Sequence, residues 1–295
     1  MTAPDPAHAS PSGLPASLGE VVERRPLGGG DIGDSEEVRL ADGRRLFVKR
    51  YDREHGEEMV ASEAAGLRWL ATAEGGPPVP EVVAAEGRVL ALELVDVAGR
   101  AASGDAGLEQ LGRELAALHA AGADAFGAVP EGASPHLGSL RVPVEPTTSW
   151  PELWTQQRVL PLARLAVDAG RLDPRDRSAV EEVAGRAEEL MGPAEPPSRC
   201  HGDLWWGNVV RARDGRRWLL DPSALGGHRE ADLALLDLFG AVPPRLLAAY
   251  EEVHPLADGW QDRVRLHQLV PLLAHAAMFG GSYGPAAGEA ARRSG

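Results

Sequence analysis

Residues 200–222 read CHGDLWWGNVVRARDGRRWLLDP, and the interpretation of the whole chain turns on this stretch. Residues 209–213 and 216–220 are two short strand-like runs around Asp214-Gly215, a dipeptide that favours a two-residue hairpin turn. In that register residue 213 faces 216, so Asn208 faces Asp221 at the open end, with Cα atoms roughly 5 Å apart. An amide oxygen and a carboxylate so placed suit Mg²⁺, which takes a few protein oxygens and completes its shell with phosphate and water. Asp203 precedes Asn208 by five residues, in His201-Gly202-Asp203. The loop between them brings its carboxylate beside the metal, where a base receiving a hydroxyl proton belongs. HGD or DG alone would mean only a polar hairpin mouth. The metal reading rests on the full spacing, with four residues from Asp203 to Asn208 and twelve more to Asp221.

Upstream, the chain has 30 basic residues, of which a single one, Lys49, is a lysine. Leu46, Phe47 and Val48 make its strand apolar, so the ammonium reaches inward from a sheet. Fourteen residues on, Glu63 falls within the apolar stripe Val60, Leu67, Leu70 of a helix. An unpaired carboxylate there would cost several kcal/mol, and Lys49 is its natural partner. Such a pair either is purely structural or fixes a point charge for the α- and β-phosphates of ATP. Gly28-Gly29-Gly30-Asp31-Ile32-Gly33, between the first two strands, is a turn whose amides can approach phosphate closely. No Gly-Lys-Ser/Thr follows, so it is not a Walker loop. Glycine loop, lysine, glutamate, then catalytic aspartate is the order found in protein kinases and their small-molecule relatives. HRD, DFG and APE are all missing, with HGD and DPS standing where the first two would be. That favours a small acceptor.

The 295 residues, 43% apolar, suffice for a proper core. Strands over 19–27, 36–40, 44–50, 81–85 and 88–95, with one helix over 57–73, predict a small α+β lobe at 19–96. Helices dominate the larger lobe at 97–288. They are expected at 107–120, where Leu108, Leu111, Leu115 and Leu118 share a face, at 150–169, at 173–191, and two or three times after 240. Residues 1–18, rich in Pro, Ala and Ser, read as a disordered tail, and 289–295 as a second tail. A net charge of −14 argues against nucleic acid or an anionic membrane as partner. Cys200 is the sole cysteine, so no intrachain disulfide can form. With no basic start, no apolar leader and no span of ~18 apolar residues, a cytoplasmic monomer is expected.

Over residues 19–284 the chain resembles the fructosamine (ketosamine) kinases. HGDLWWGN at 201–208 is similar to their HGDLW-x-GN, and GHREADLALLDLFG at 227–240 to their GxREADLAMxxLFG. LGRELAALHA, FVKR, RVLPLARLA at 158–166 and HAAMFGGSY at 275–283 also match. The resemblance implies a two-lobed, protein-kinase-like α+β fold, with a five-stranded antiparallel sheet plus one helix in the N-lobe. It implies transfer of the ATP γ-phosphate to the sugar 3-hydroxyl of a small-molecule or protein-bound ketosamine, whose decomposition frees the amine. By the same resemblance Asp203 is the base, and Asn208 and Asp221 hold Mg²⁺. Lys49 and Glu63, with Gly28, Gly29, Gly30 and Asp31, anchor phosphates, and Glu93 and Val95 offer backbone hydrogen bonds to adenine. Trp205 and His275 face the acceptor, while His201, Glu230 and Asp232 brace the catalytic loop. Two other readings are an aminoglycoside- or choline-kinase-like phosphotransferase and a nucleotide-binding module without catalysis. This chain departs from the family pattern at Ala224-Leu225-Gly226, where a Tyr is usual, and at Asp31, where some members carry a cysteine.

Overall fold

In the computed structural model, residues 13–27, 34–52, 54–98 and 107–295 are described; the glycine-rich turn at 28–33, with Gly28, Gly29, Gly30 and Asp31, lies outside them. Strands β1 (Val21–Leu27), β2 (Asp34–Leu40), β3 (Arg45–Arg50), β4 (Val82–Glu86) and β5 (Val89–Glu93) form one antiparallel sheet in the order β1-β2-β3-β5-β4. Alternation along the strands gives each face its own core. Val38, Leu40, Leu46 and Val48 pack on one side, and helix α1 (Gly56–Ala71) covers the other through Val60, Ala64 and Leu67 against Tyr51, Leu90 and Leu92. Lys49 has the parity of Phe47 and Tyr51, so it faces α1.

The segment expected to be a tail through residue 18 instead places Leu14 and Leu18, each 2% exposed, against the far face of this sheet. Burying a leucine side chain is worth about 1.5–3 kcal/mol, which favours order there over a free end. The other expected tail is helical. The final helix, α11 (Tyr283–Ser294), lays its small residues Ala287, Gly288 and Ala291 into the body, where side chains of that size permit close approach.

The body is mainly helical. Helix α2 (Leu108–Ala120) packs Leu111, Leu115 and Leu118 with Leu246 and Tyr250 of α8 (Pro244–Val253). A second core gathers α3 (Trp150–Glu152), a run of wide π-helical turns at Leu153–Val159, α4 (Leu160–Asp168), α5 (Pro174–Gly185), α6 (Ala187–Leu190), α10 (Leu269–Phe279) and α11. After residue 240 the chain makes four helices, α8, α9 (Trp260–His267), α10 and α11, where two or three were expected. Gly280, at positive φ, ends α10 before α11, and Gly259, also at positive φ, immediately precedes α9.

The connection leaving β5 is stitched to the hairpin at residues 209–219. Val97 bridges Ala212, Ala98 N–H donates to Arg211 O (2.8 Å), and Arg213 N–H donates to Asp96 O (2.9 Å). Leu219 N–H adds a bond to Pro78 O at 2.9 Å. Sheet and hairpin are thereby held in one frame. Among the described residues no helix is long and apolar enough to cross a membrane.

Candidate active site

The hairpin of β6 (Val209–Arg211) and β7 (Arg217–Leu219) closes one residue wider than its sequence suggests. Ala212 N–H donates to Arg216 O (2.9 Å), so Arg213, Asp214 and Gly215 form a three-residue loop ending in Gly215 at φ +89°. Asp214 Oδ1 accepts Arg216 N–H at 2.9 Å and holds this wider turn. The register is therefore 209 with 219 and 211 with 217, and Leu220 N–H bonds Asn208 O at 2.9 Å. Asn208 thus faces Leu220, not Asp221. The backbone of Asp221 compensates by adopting φ +52°, a left-handed conformation that aspartate tolerates better than most residues. Its carboxylate meets Lys49 Nζ at 2.9 Å.

The loop before β6 is held from behind. Gly202 has φ +79°, and a Cβ there would lie 2.0 Å from Ser223 O, so the middle residue of HGD has to be glycine. Asp232, on α7 (Arg229–Leu238), accepts the N–H groups of His201 (2.7 Å) and Gly202 (2.9 Å). It also lies 3.3 Å from His119 Nε2, whose other nitrogen is 2.8 Å from Tyr250 Oη. His201 is fully buried, which lowers its pKa and keeps it neutral. It donates through Nε2 to Leu220 O (2.9 Å) and accepts Asp203 N–H at Nδ1 (3.3 Å), tying loop to hairpin.

Asn208 donates from Nδ2 to the carbonyl (2.9 Å) and the carboxylate (3.1 Å) of Asp203, which turns its own Oδ1 the other way. Burial pushes Asp203 up to about 7, the Asn208 bond opposing and the Asp221 and Asp232 carboxylates adding to the rise. A pKa near the working pH is the value that favours a general base.

Lys49 Nζ lies 3.3 Å from Glu63 Oε2 and 2.9 Å from Asp221 Oδ1, over the Tyr51 ring at 5.2 Å. Burial alone would lower its pKa, but Glu63 and Asp221 outweigh it, so Lys49 stays an ammonium. Tyr51 donates its hydroxyl to Glu63, fixing the carboxylate from the other side.

Two cavities meet at Asp203. The smaller, about 90 Å³, is lined by Lys49, Tyr51, Glu63, Asp203 and Asp221. The larger, about 470 Å³, is lined by Asp203, Trp205, Phe239, His275 and Tyr283 among others. Its aromatic wall is continuous. Trp205 meets Phe239 edge-on (5.9 Å between centroids), Phe239 meets His275 (5.4 Å), and His275 stacks on Tyr283 (5.0 Å). Trp205 remains 38% exposed, so it is not a core residue.

Glu230 sits elsewhere than expected. Its carboxylate takes Arg263 Nε (2.8 Å) and Nη2 (2.6 Å), with His267 Nε2 at 3.3 Å, and so ties α7 to α9 rather than bracing the catalytic loop. Residues 230 and 232 are two apart on a helix and point in different directions. Arg229, in the same motif, bonds Glu195 with two nitrogens (2.7 and 2.6 Å). Tyr51, His119, Phe239 and Tyr283 escaped the sequence reading. Tyr51, one residue past β3, has the parity of Lys49, and the other three lie within the family-like segments LGRELAALHA, GHREADLALLDLFG and HAAMFGGSY.

A sheet-plus-helix lobe presenting a Lys–Glu pair, set over a helical body whose hairpin mouth gathers Asp203, Asn208 and Asp221, defines a protein-kinase-like phosphotransferase. The chain belongs to the fructosamine kinase family, matching it over residues 14–293, and with it to the ATP-dependent kinases of ketosamines. It is 36% identical over 264 residues to "Probable ketoamine kinase" of Thermus thermophilus, covering 88% of each chain. To the protein of the same name from Synechocystis it is 32% identical over 272 residues, 89% of this chain and 87% of the relative. The crystal structure of a candidate fructosamine-3-kinase from Thermobifida fusca superposes with a TM-score of 0.86 at 42% identity, over 94% of this chain and 95% of that one. A choline kinase from Streptococcus pneumoniae, at 14% identity and a TM-score of 0.62 over 95% of each chain, shares the fold.

Proposed function

We propose that the chain transfers the γ-phosphoryl group of ATP to the sugar 3-hydroxyl of a ketosamine, with Asp203 as the base. The observation that carries this reading is the position of Asp203, whose side chain lines both the Lys49 cavity and the aromatic cavity. A phosphate held on one side and a hydroxyl on the other would meet there. Asp203 receives the hydroxyl proton as the oxygen attacks, and Asn208 holds the carboxylate in place during the transfer. Lys49, fixed by Glu63 and Tyr51, positions the α- and β-phosphates. Glu93 gives its N–H to Glu81 O (2.9 Å), so its carbonyl would accept a hydrogen bond donated by adenine, and the backbone of Val95, in the connector beyond, would supply the other. Trp205 and His275 wall the acceptor.

The donors at the hairpin mouth fit a magnesium ion. Asn208 Oδ1 points away from Asp203, and Asp221 is a half-exposed carboxylate whose ion-pair partner is Lys49. These are hard oxygens of the kind Mg²⁺ selects. Bound there, the ion would neutralise charge on the transferring phosphate. We assign residues 19–96 to nucleotide binding and 97–288 to catalysis and acceptor binding. A monomer in the cytoplasm accords with a single, buried cysteine. The released 3-phosphate would decompose and free the amine, which makes the role one of deglycation.

The test is ATP consumption with fructosyl-lysine, ribulosyl-lysine, choline and kanamycin, with the phosphate located by NMR. Phosphate on sugar O3 is expected, and Asp203→Asn should lose about 10²–10⁴-fold in rate while retaining ATP binding. Turnover of choline alone rejects the acceptor, and ATP binding without turnover of any acceptor rejects catalysis.

A further inference from the structure

The large cavity holds one charge that phosphate transfer to a sugar does not use. Arg158 lines it, 5% exposed, at the end of the π-helical turns Leu153–Val159. The widening is real in hydrogen bonds, since Leu160 N–H reaches back five residues to Thr155 O, and such insertions often mark functional sites. Nη1 donates to Val142 O (2.9 Å) and Gln157 O (3.3 Å). Among the described residues no protein acceptor takes Nε or Nη2, and no carboxylate lies within ion-pair distance of the guanidinium. Burial pulls its pKa down to about 10, with no charged neighbour among the described residues offsetting it. A buried cation without a counter-ion is costly, and the usual remedy is an anion.

The carboxyl groups on this cavity are those of Asp203 and Asp232, and Asp232 is already taken by the N–H groups of His201 and Gly202. Arg158 is the only Lys or Arg among the residues that line it. The cavity therefore carries both signs of charge, with the Asp203 carboxyl where it meets the smaller cavity and one guanidinium that pairs with no carboxylate among the described residues. We infer that Arg158 binds a carboxylate on the amine half of the acceptor, so that the chain selects ketosamines of free amino acids over those of uncharged amines. This inference rests on the ketosamine reading above. The ligand it describes is zwitterionic: its secondary ammonium would lie against Trp205 and the aspartates, and its carboxylate would fork onto Nε and Nη2. A single positive charge in a largely apolar cavity matches one carboxylate better than a phosphate dianion.

The experiment compares kcat/KM for fructosyl-glycine and fructosyl-glycinamide in the wild type, Arg158→Gln and Arg158→Lys. The acid should be preferred about 10- to 100-fold in the wild type, the scale of a hydrogen bond to a charged group, mostly through KM. In Arg158→Gln that ratio should collapse towards one, and Arg158→Lys should keep part of it, having the charge without the fork. A wild-type ratio within threefold overturns the inference and leaves the ketosamine reading standing, as does a preference that survives in Arg158→Gln. If Arg158→Gln fails to fold, the wild-type ratio and Arg158→Lys decide. Preference for a ketosamine phosphorylated on its sugar over both probes would move the anion to the other end of the ligand and also overturn it. Turnover of neither probe by the wild type refutes the ketosamine reading, and this inference with it.

Discussion

Replacing Asp232 by asparagine should slow catalysis without touching the base. Asp232 is 2% exposed and accepts two backbone N–H groups, at 2.7 and 2.9 Å, besides facing His119. An alanine would leave both N–H groups buried and unpaired at about 1–3 kcal/mol each, a large part of a typical stability of about 5–15 kcal/mol. Asparagine keeps one acceptor but turns an NH₂ towards the other donor, so it loses roughly one charge-assisted bond, about 1.5–3 kcal/mol. For a chain of 295 residues that is a fall in Tm of about 2–5 °C. The loop it releases carries Asp203, and small displacements of a base cost large factors in rate. Thermal unfolding and steady-state kinetics on one preparation measure both effects. We expect kcat to fall at least tenfold with the KM for ATP little changed. A variant with native Tm and native kcat would show that Asp232 does not hold the loop.

Lys49→Met leaves Glu63 buried without its ammonium, and burial with the nearby Asp221 already pushes that carboxyl up. A carboxyl raised in the folded state contributes stability below its unfolded pKa and loses it as pH rises through the folded one. The variant should therefore be destabilised more at pH 8 than at pH 5.5 in thermal melts, and an equal loss at both would refute the pairing. Glu230 is held down to about 2: burial would raise it, but the bonds from His267 and Arg263 prevail. Its contribution is present above the ordinary value of 4.5 and is lost as pH falls towards 2. Burial with His267 alongside holds His228 down to about 3, so its contribution fades as pH falls from 6.5 towards 3. Tm should thus decline below pH 6.5, and Glu230→Gln should flatten the limb below 4.5; an unchanged limb would refute this.

The strands, the first two helices and the Lys49–Glu63 pair were legible because each depends on local pattern. Period-two alternation sends Lys49 to the α1 face, and helical spacing sends Glu63 to meet it. The hairpin was legible only in part. Asp-Gly signals a turn but not its width, which Asp214 set by capping Arg216 N–H, and so the expected partner of Asn208 was off by one.

The sequence by itself determined which groups the chemistry could use: one lysine, the HGD–Asn–Asp spacing, and a READLA motif on a helix. Those are properties of residue type and periodicity. Only the tertiary structure decided that Asp203 lies where two cavities meet, that Glu230 serves α9 instead of the loop at 201–203, and that Arg158 faces the larger cavity with no counter-ion among the described residues. These depend on which distant segments share a space, and on how a buried charge is solvated there. Neither is encoded in the spacing of neighbours along the chain.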